Sequence, residues 1–410
     1  MRSFANIFLI LFVADGGFSL VDELVSLLTP LLPFSDFRNL LAGLVILLSL
    51  PMYVLLGIDS RLPKKVFVPL IAFVYWTLVS TWLLPILATL KIYGLIMSLV
   101  QLGLGVLPLY INRGGESRRL TLAPELFVRP WFQLRSTLIF LAVNLLIVPL
   151  ATAAFAMSVA NSYLSDYTAG FMRLGSTGIT MTERSYVRDN RTVRLAAMIH
   201  IGSRDYYRSI SDSVLPGRTL VLAEGVSDRE RLLKHGLDYG KVAGLMGLDA
   251  QNKMLFKGRV LDREELEGGD APRETPEDTS VHNEPDILRA DVDVSLFRPE
   301  TVTFLNAVGR HLGSDRSVME GFLELNRWAE KNVTPEMYET IMDDILHRRN
   351  MTLIGYLDKA LVRYETIVIP WGALHMKEVE AELLKRGFLP RDSRERTSID
   401  FIKLLRNQRT

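Results

Sequence analysis

The chain has 410 residues, is 49% hydrophobic, and carries 47 Lys and Arg against 46 Asp and Glu, a formal net charge of +1. That balance gives no reason to propose a nucleic-acid partner. The absence of cysteine excludes disulfides, zinc fingers and thiolate nucleophiles, so any metal must be held by His, Asp or Glu.

Residues 1–37 begin with a short apolar run, 3–14, interrupted by Asp15-Gly16-Gly17 and followed by an apolar stretch that holds Asp22-Glu23. They read as a short first span, a re-entrant piece or an interfacial helix, and they lack the small-x-small cleavage site of a removed signal peptide. Four further runs, 39–58, 66–90, 92–111 and 137–159, contain no charged side chain. Each is long enough to cross a ~30 Å hydrocarbon core, so 38–160 is expected to form an all-α transmembrane bundle in a lipid bilayer. Pro51, Pro69, Pro85 and Pro149 are expected to kink these spans, as membrane helices allow. Asn144 is expected to join two helices by hydrogen bonding. With no ionisable side chain inside these four spans, ion- or proton-coupled transport is disfavoured. The loop 59–65 carries Arg61, Lys64 and Lys65, and the loop 112–136 carries Arg113, Arg118, Arg119, Arg129 and Arg135. The positive-inside rule puts both in the cytoplasm, which sends 161–410 to the other side of a bacterial inner membrane.

From about residue 160 charge density rises and long apolar runs stop, marking a soluble domain, 161–410. A hairpin is predicted over 180–202, turning at Asp189-Asn190. Its second strand, "LAAMIHIG", is continuously apolar, as a strand buried on both faces is, and ends in His200. Ser203 is a fair N-cap for a helix over "SRDYYRSISDSVL". "RTLVLAEGV" is then a buried strand ending in Glu224. Strand, helix and strand in succession predict neighbouring parallel strands, with His200 and Glu224 at the carboxyl edge where open α/β sheets bind ligands. A buried glutamate there needs a cation, a metal or an arginine. Residues 227–257 are predicted helical, with glycines at 236, 240, 244 and 247 for close packing. The acidic, Pro- and Gly-rich segment 262–286 is predicted to be an exposed loop. "ADVDVSLF" follows, then helices at about 299–312, 316–330, 335–348 and 350–364. A last buried strand at 366–370 runs through Trp371 and Gly372 to His375 at the start of another helix, and the C-terminal stretch ends as a strand or helix with a solvated face.

Glu224 in "VLAEGV", Arg349-Asn350 in "RRNM", Gly372 and His375 in "GALH", and "ADVDVS" at 290–295 together resemble the TraB/PrgY/GumN family, which includes the TIKI metalloproteases. The resemblance covers roughly residues 180–390. It departs at "AMIH", where Ala197 stands in place of the glycine of the first G-x-x-H motif while its histidine, His200, is kept. It implies an α/β (α+β) domain with a central mixed sheet, of the kind shared with the erythromycin-esterase-like and ChaN-like proteins, and metal-dependent hydrolysis, with a peptide the expected substrate.

On this resemblance His200 and His375 hold a divalent metal, Mn²⁺ or Co²⁺, and Glu224 is a third ligand or the base for metal-bound water. Arg349 then stabilises an oxyanion or clamps a carboxylate, with Asn350 beside it. Tyr206 and Tyr207 either touch substrate or pack in the core, and Trp371 forms an apolar wall. Alternatively the pocket captures a peptide or small ligand, haem included, without catalysis. A purely structural arrangement would satisfy both histidines locally and pair Glu224 with Arg349.

Overall fold

A computed structural model describes residues 1–29, 32–84, 86–90, 92–111, 121–215, 217–235, 240, 243–244, 248–251, 254, 256–267, 284–313 and 317–407. The chain divides into two compact units, Met1–Val159 and Ala160–Thr410. The first is helical, and the second is built on a mixed sheet.

Among the described residues five helices are long and apolar enough to cross a membrane: α1 (Arg2–Leu28), α2 (Ser35–Ile58), α3 (Lys64–Leu83), α5 (Tyr93–Ile111) and α6 (Leu134–Tyr167), the last running across the division between the units. A short α4 (Ile86–Thr89) lies between α3 and α5. The expected span 66–90 is thus interrupted. Leu84 leaves the helical region (φ −127°, ψ 80°), as a residue preceding proline tends to; Pro85 itself lies outside the described residues. By contrast, Asp15-Gly16-Gly17 does not break α1. Gly16 lets α5 approach, because a Cβ there would sit 3.1 Å from the Gln101 side chain. Pro51, Pro69 and Pro149 lie inside α2, α3 and α6. Asn144 of α6 accepts a hydrogen bond from the Tyr53 hydroxyl of α2 and donates to Phe140 O at 2.7 Å, the helix-joining role expected of it. Phe8, Leu9, Phe12, Met52, Phe67 and Leu70 make the interior of this unit.

The second unit opens with β1 (Met172–Leu174), β2 (Gly178–Arg188) and β3 (Arg191–Met198). β2 and β3 form the predicted hairpin, with Arg188 opposite Arg191. Asp189 at the turn adopts φ +52°, a left-handed conformation that Asp tolerates better than most residues. Next come β4 (Ile201–Gly202), α7 (Arg204–Ser211), β5 (Thr219–Ala223), β6 (Asp249–Ala250), β7 (Arg259–Leu261), α8 (Arg263–Glu267) and β8 (Asp286–Arg289). Four helices follow, α9 (Pro299–Leu312), α10 (Val318–Asn332), α11 (Pro335–Met342) and α12 (Arg349–Arg363), and a π-helical segment, Asp343–Arg348, joins the last two. β9 (Thr366–Gly372), α13 (Ala373–Lys385), β10 (Leu389–Asp400) and α14 (Phe401–Asn407) complete the unit.

The main sheet runs β1-β2-β3-β9-β5-β8-β7, with β10 pairing β2. The pairs among β1, β2, β3 and β10 are antiparallel, and those from β3 through β9, β5, β8 and β7 are parallel. β3 and β5 are therefore not neighbours, as strand–helix–strand succession predicts; β9 inserts between them. The reason is compositional: Ile367, Val368, Ile369 and Trp371 are all buried, and a strand apolar on both faces gains most at a sheet centre. Residues 227–235, predicted helical, are irregular instead. The Asp228 carboxylate takes the Leu232 and Leu233 amides, and Ser227 bridges to Asp293; these local bonds compete with a helix. Glycines 236 and 247 and residues 268–283 of the acidic loop lie outside the described residues.

Trp371, fully buried, is the largest side chain of this core, and its Nε1–H donates to Leu222 O at 2.9 Å. Trp371→Ala is expected to destabilise the second unit by about 3–5 kcal/mol, read as a lowered midpoint in thermal unfolding of the purified full-length protein.

Candidate functional site at the carboxyl edge

β3 and β9 end side by side, Met198 opposite Gly372, whereas β5 stops pairing with β9 after Val368. Two residues later comes Pro370, which has no N–H to give to a ladder. The strands part there, and the gap between them is filled by side chains. Glu224, just past β5, enters it: its Oε2 accepts from Gly372 N at 2.9 Å, and its Oε1 lies 2.8 Å from Arg349 Nη2.

Arg349 comes from the start of α12, directly after the π-helical turn. Such a turn holds more residues than an α-turn and rotates everything after it. It is anchored by Asp344, fully buried, which accepts from Arg298 N at 2.7 Å, Arg298 Nε at 3.0 Å and Thr301 Oγ1 at 2.7 Å. The result is that Arg349 and Asn350, polar neighbours, are both buried. Arg349 grips Asp291 in two parallel bonds, Nε to Oδ1 at 2.9 Å and Nη2 to Oδ2 at 2.7 Å. Asp291 also accepts from Gly225 N at 2.9 Å and Val292 N at 2.8 Å.

His375 lies on the first turn of α13, buried. Its Nδ1 is 2.7 Å from Asn350 Oδ1, while Asn350 Nδ2 donates to Glu378 Oε2 at 2.6 Å. That chain orients the amide, so Nδ1 carries the proton and Nε2 a lone pair. The lone pair faces Arg349 Nη1 at 3.3 Å and Glu224 Oε1 at 3.7 Å. Burial, reinforced by the Arg349 charge, depresses the imidazole to about 4, leaving it neutral near neutrality. For Glu224 burial opposes ionisation, but Arg349 foremost, then the two histidines, hold its carboxyl below the usual range. Burial likewise opposes the Arg349 charge, and Asp291 and Glu224 more than offset it, raising the guanidinium above its ordinary value.

His200 is exposed, two residues past β3, with Nδ1 2.8 Å from Gln251 Oε1; Gln251 Nε2 in turn donates to Glu224 Oε2 at 3.3 Å. Gln251 thus links His200 to the buried group. Tyr206 and Tyr207 are core residues of α7. Their hydroxyls donate to Ala197 O at 2.6 Å and Ile199 O at 2.7 Å, bracing the backbone that carries His200, and burial raises both phenols. Trp371 forms the floor, its ring 5.1 Å from that of His375 at 88° and 5.3 Å from the Arg349 guanidinium. The structure therefore brings Glu224, Arg349, Asn350, His375 and Trp371 together, joins His200 through Gln251, and sets both tyrosines beneath the chain.

Sequence reasoning missed Asp291, Gln251 and Glu378 as members. Asp291 had a signal: it follows the buried strand β8 by two residues, much as Glu224 follows β5, and an acid after a buried strand is the pattern that singled out Glu224. Gln251 and Glu378 had none, since each is recruited by tertiary contact.

Among the described residues no three His, Asp or Glu side chains are grouped so as to hold a metal ion. Glu224 and His375 supply two donor atoms, but His200 is engaged by Gln251 and the Arg349 cation already lies against both donors. Comparison with protein-family models, with curated proteins and with solved structures finds no match to this chain.

Gly372 has φ −51°, and an added Cβ would lie 3.5 Å from His375 Cδ2 and 3.7 Å from the Glu224 oxygens, ordinary van der Waals contact. Gly372→Ala is expected to change stability by no more than about 0.5 kcal/mol, measured by denaturant unfolding. A second expectation concerns pH. His375 titrates near 4 when folded and near its ordinary 6.5 when unfolded, so the unfolded chain binds the extra proton first. Stability then falls as pH drops from about 6.5 to 4, by roughly 3 kcal/mol, with Glu224 adding its loss only below the usual carboxylate range. Thermal unfolding of metal-free protein across that window should show the decline, and His375→Gln should flatten it.

Proposed function

We propose that the chain is a multi-pass membrane protein whose second unit is an extracytoplasmic hydrolase, with a peptide as its substrate class. What supports this most is one observation: Glu224, Arg349 and His375, far apart in the chain, meet at the carboxyl edge of parallel strands, where α/β proteins place their sites. The resemblance to the TraB/PrgY/GumN family points the same way, since its glutamate, its Arg-Asn pair and its second G-x-x-H correspond to the residues that meet here on a mixed sheet. Five crossings with loops 59–65 and 112–136 in the cytoplasm carry the second unit outward.

In this site Glu224 is ionised and His375 neutral, and each would accept a proton from a water that displaces its present contact with Arg349. Arg349 lies between the two carboxylates, and its second Nη1–H is the group left for the oxygen of a polarised carbonyl. A divalent metal such as Mn²⁺ or Co²⁺, taken by His200, His375 and Glu224, would supply a water acidified toward ~7. As placed, the three donors do not converge, so His200 would first have to leave Gln251, and no step is assigned to the ion. A non-catalytic ligand-capturing protein is the second reading, favoured by the closure of the network, in which Glu224 and His375 already have partners within the fold.

Elemental analysis and peptide-turnover assays on the full-length protein in detergent, beside His200→Ala and His375→Ala, separate these. The hydrolase reading expects turnover that falls at least ~100-fold in His375→Ala. If a metal takes part, stoichiometric Mn²⁺ or Co²⁺ is lost in both variants. Ligand binding that survives loss of both histidines, with no turnover in the parent, would establish capture instead.

A further inference from the structure

A second polar group lies in the first unit, and its placement is unusual for a membrane helix. Asp15 is the middle residue of α1, with thirteen residues on either side of it in Arg2–Leu28. If α1 crosses a bilayer, thirteen residues at 1.5 Å put Asp15 roughly 20 Å from each helix end, at the centre of a ~30 Å hydrocarbon layer. The side chain does not point to lipid: Asp15 is only 7% exposed, and it meets Gln101 near the middle of α5. An ionisable residue at that depth and facing the interior of a bundle is functional by default.

The hydrogen bonds define what it can take. Gln101 Nε2 donates to Phe12 O at 3.0 Å and to Asp15 Oδ2 at 2.8 Å. A carbonyl oxygen cannot donate, so the bond to Phe12 O orients the amide, and the end turned toward Asp15 is its NH₂. The other carboxylate oxygen, Oδ1, is buried without a hydrogen-bond partner. Gly16 leaves room for Gln101 against α1, and Gly105 leaves room for Val13, so the two helices close over the carboxyl. An ionised carboxylate with one bare oxygen in hydrocarbon is costly. Neutralisation by a metal cation is opposed by the N–H groups that Gln101 directs at the site. Neutralisation by a proton needs only the bare oxygen.

We propose that Asp15 is a proton-binding carboxyl at the centre of the membrane-spanning unit, held by Gln101. The charged groups that bear on it are few. On its own helix Asp22, two turns along the same face, is fully buried and accepts from Phe34 N at 2.9 Å, with Glu23 beside it. From α2 comes Arg38, 3.9 Å from Asp22 and 3.6 Å from Glu23. α5 adds Gln101 and the buried Ser98, whose hydroxyl donates to Gly94 O, and α3 adds the apolar Phe73 against Phe12.

The test is covalent labelling of the full-length protein in lipid vesicles with dicyclohexylcarbodiimide, an apolar reagent that takes the proton of a protonated carboxyl and is then attacked by its oxygen, leaving an N-acylurea, whereas an ionised carboxylate has no proton to give it. Peptide mass spectrometry is expected to find the adduct on Asp15, with a yield that falls as pH rises, and to find none at that position in Asp15→Asn. Gln101→Leu removes the donor that favours the ionised form, so its labelling should persist to a pH about one unit higher. No adduct on Asp15 at any pH, in protein whose helical circular dichroism is intact, overturns the proposal. So does a yield that does not vary with pH, or a profile unmoved by Gln101→Leu. None of these outcomes bears on the hydrolase reading, which rests on the other unit.

Discussion

One guanidinium holds the second unit's site in place. Arg349 bonds Asp291 and Glu224 at once, one cation between two carboxylates and nearly out of water. Removing a single partner from such a group leaves an uncompensated buried charge, which costs about 3–5 kcal/mol. The positions of the other members follow from it. Glu224 is drawn into the gap between β5 and β9, His375 is kept neutral beside a fixed cation, and Asp291 is tied to the chain on either side of it through Gly225 and Val292. Arginine suits this duty better than lysine, because its planar fork matches a carboxylate with two bonds and leaves a third N–H for the next.

What brings Arg349 there is a departure from regular helix. Asp344, buried and held by Arg298 and Thr301, pins the π-helical turn, and the extra residue in that turn re-phases α12 so that Arg349 and Asn350 face the sheet edge. One π-helical turn thus lets Arg349 and Asn350 reach Glu224 and His375, a departure of the kind found near functional sites. Asn350 then relays order outward, from Glu378 to the Nδ1 proton of His375.

Much of this was readable from residue patterns. The uncharged runs marked the helices of the first unit, because lipid tolerates few other patterns. The hairpin at Asp189-Asn190 and the buried strands before Glu224 and His375 followed from turn chemistry and continuous apolar runs. Three things were not legible. Strand order was hidden, because adjacency of β3 and β5 is the common outcome and only the depth of burial of β9 overrides it. The irregular path of 227–235 was hidden because Asp228 offers the backbone bonds that compete with a helix. The full extent of α1 was hidden because an Asp-Gly-Gly run reads as a break until Gln101 of another helix is known to lie against it.

The central position of β9 has a consequence for how the protein is made. β3 and β5, which flank it, are synthesised long before it, and six of the eight helices described from α7 onward precede it. At ribosomal rates of about 5–20 residues per second, the gap between Met198 and Gly372 lasts on the order of ten to thirty seconds. Throughout that interval two apolar strand edges wait without the partner that joins them, a long-range closure that is intrinsically slow. Until β9 is made those edges have no partner, and loss of the last forty-odd residues would leave an open sheet rather than a smaller folded one.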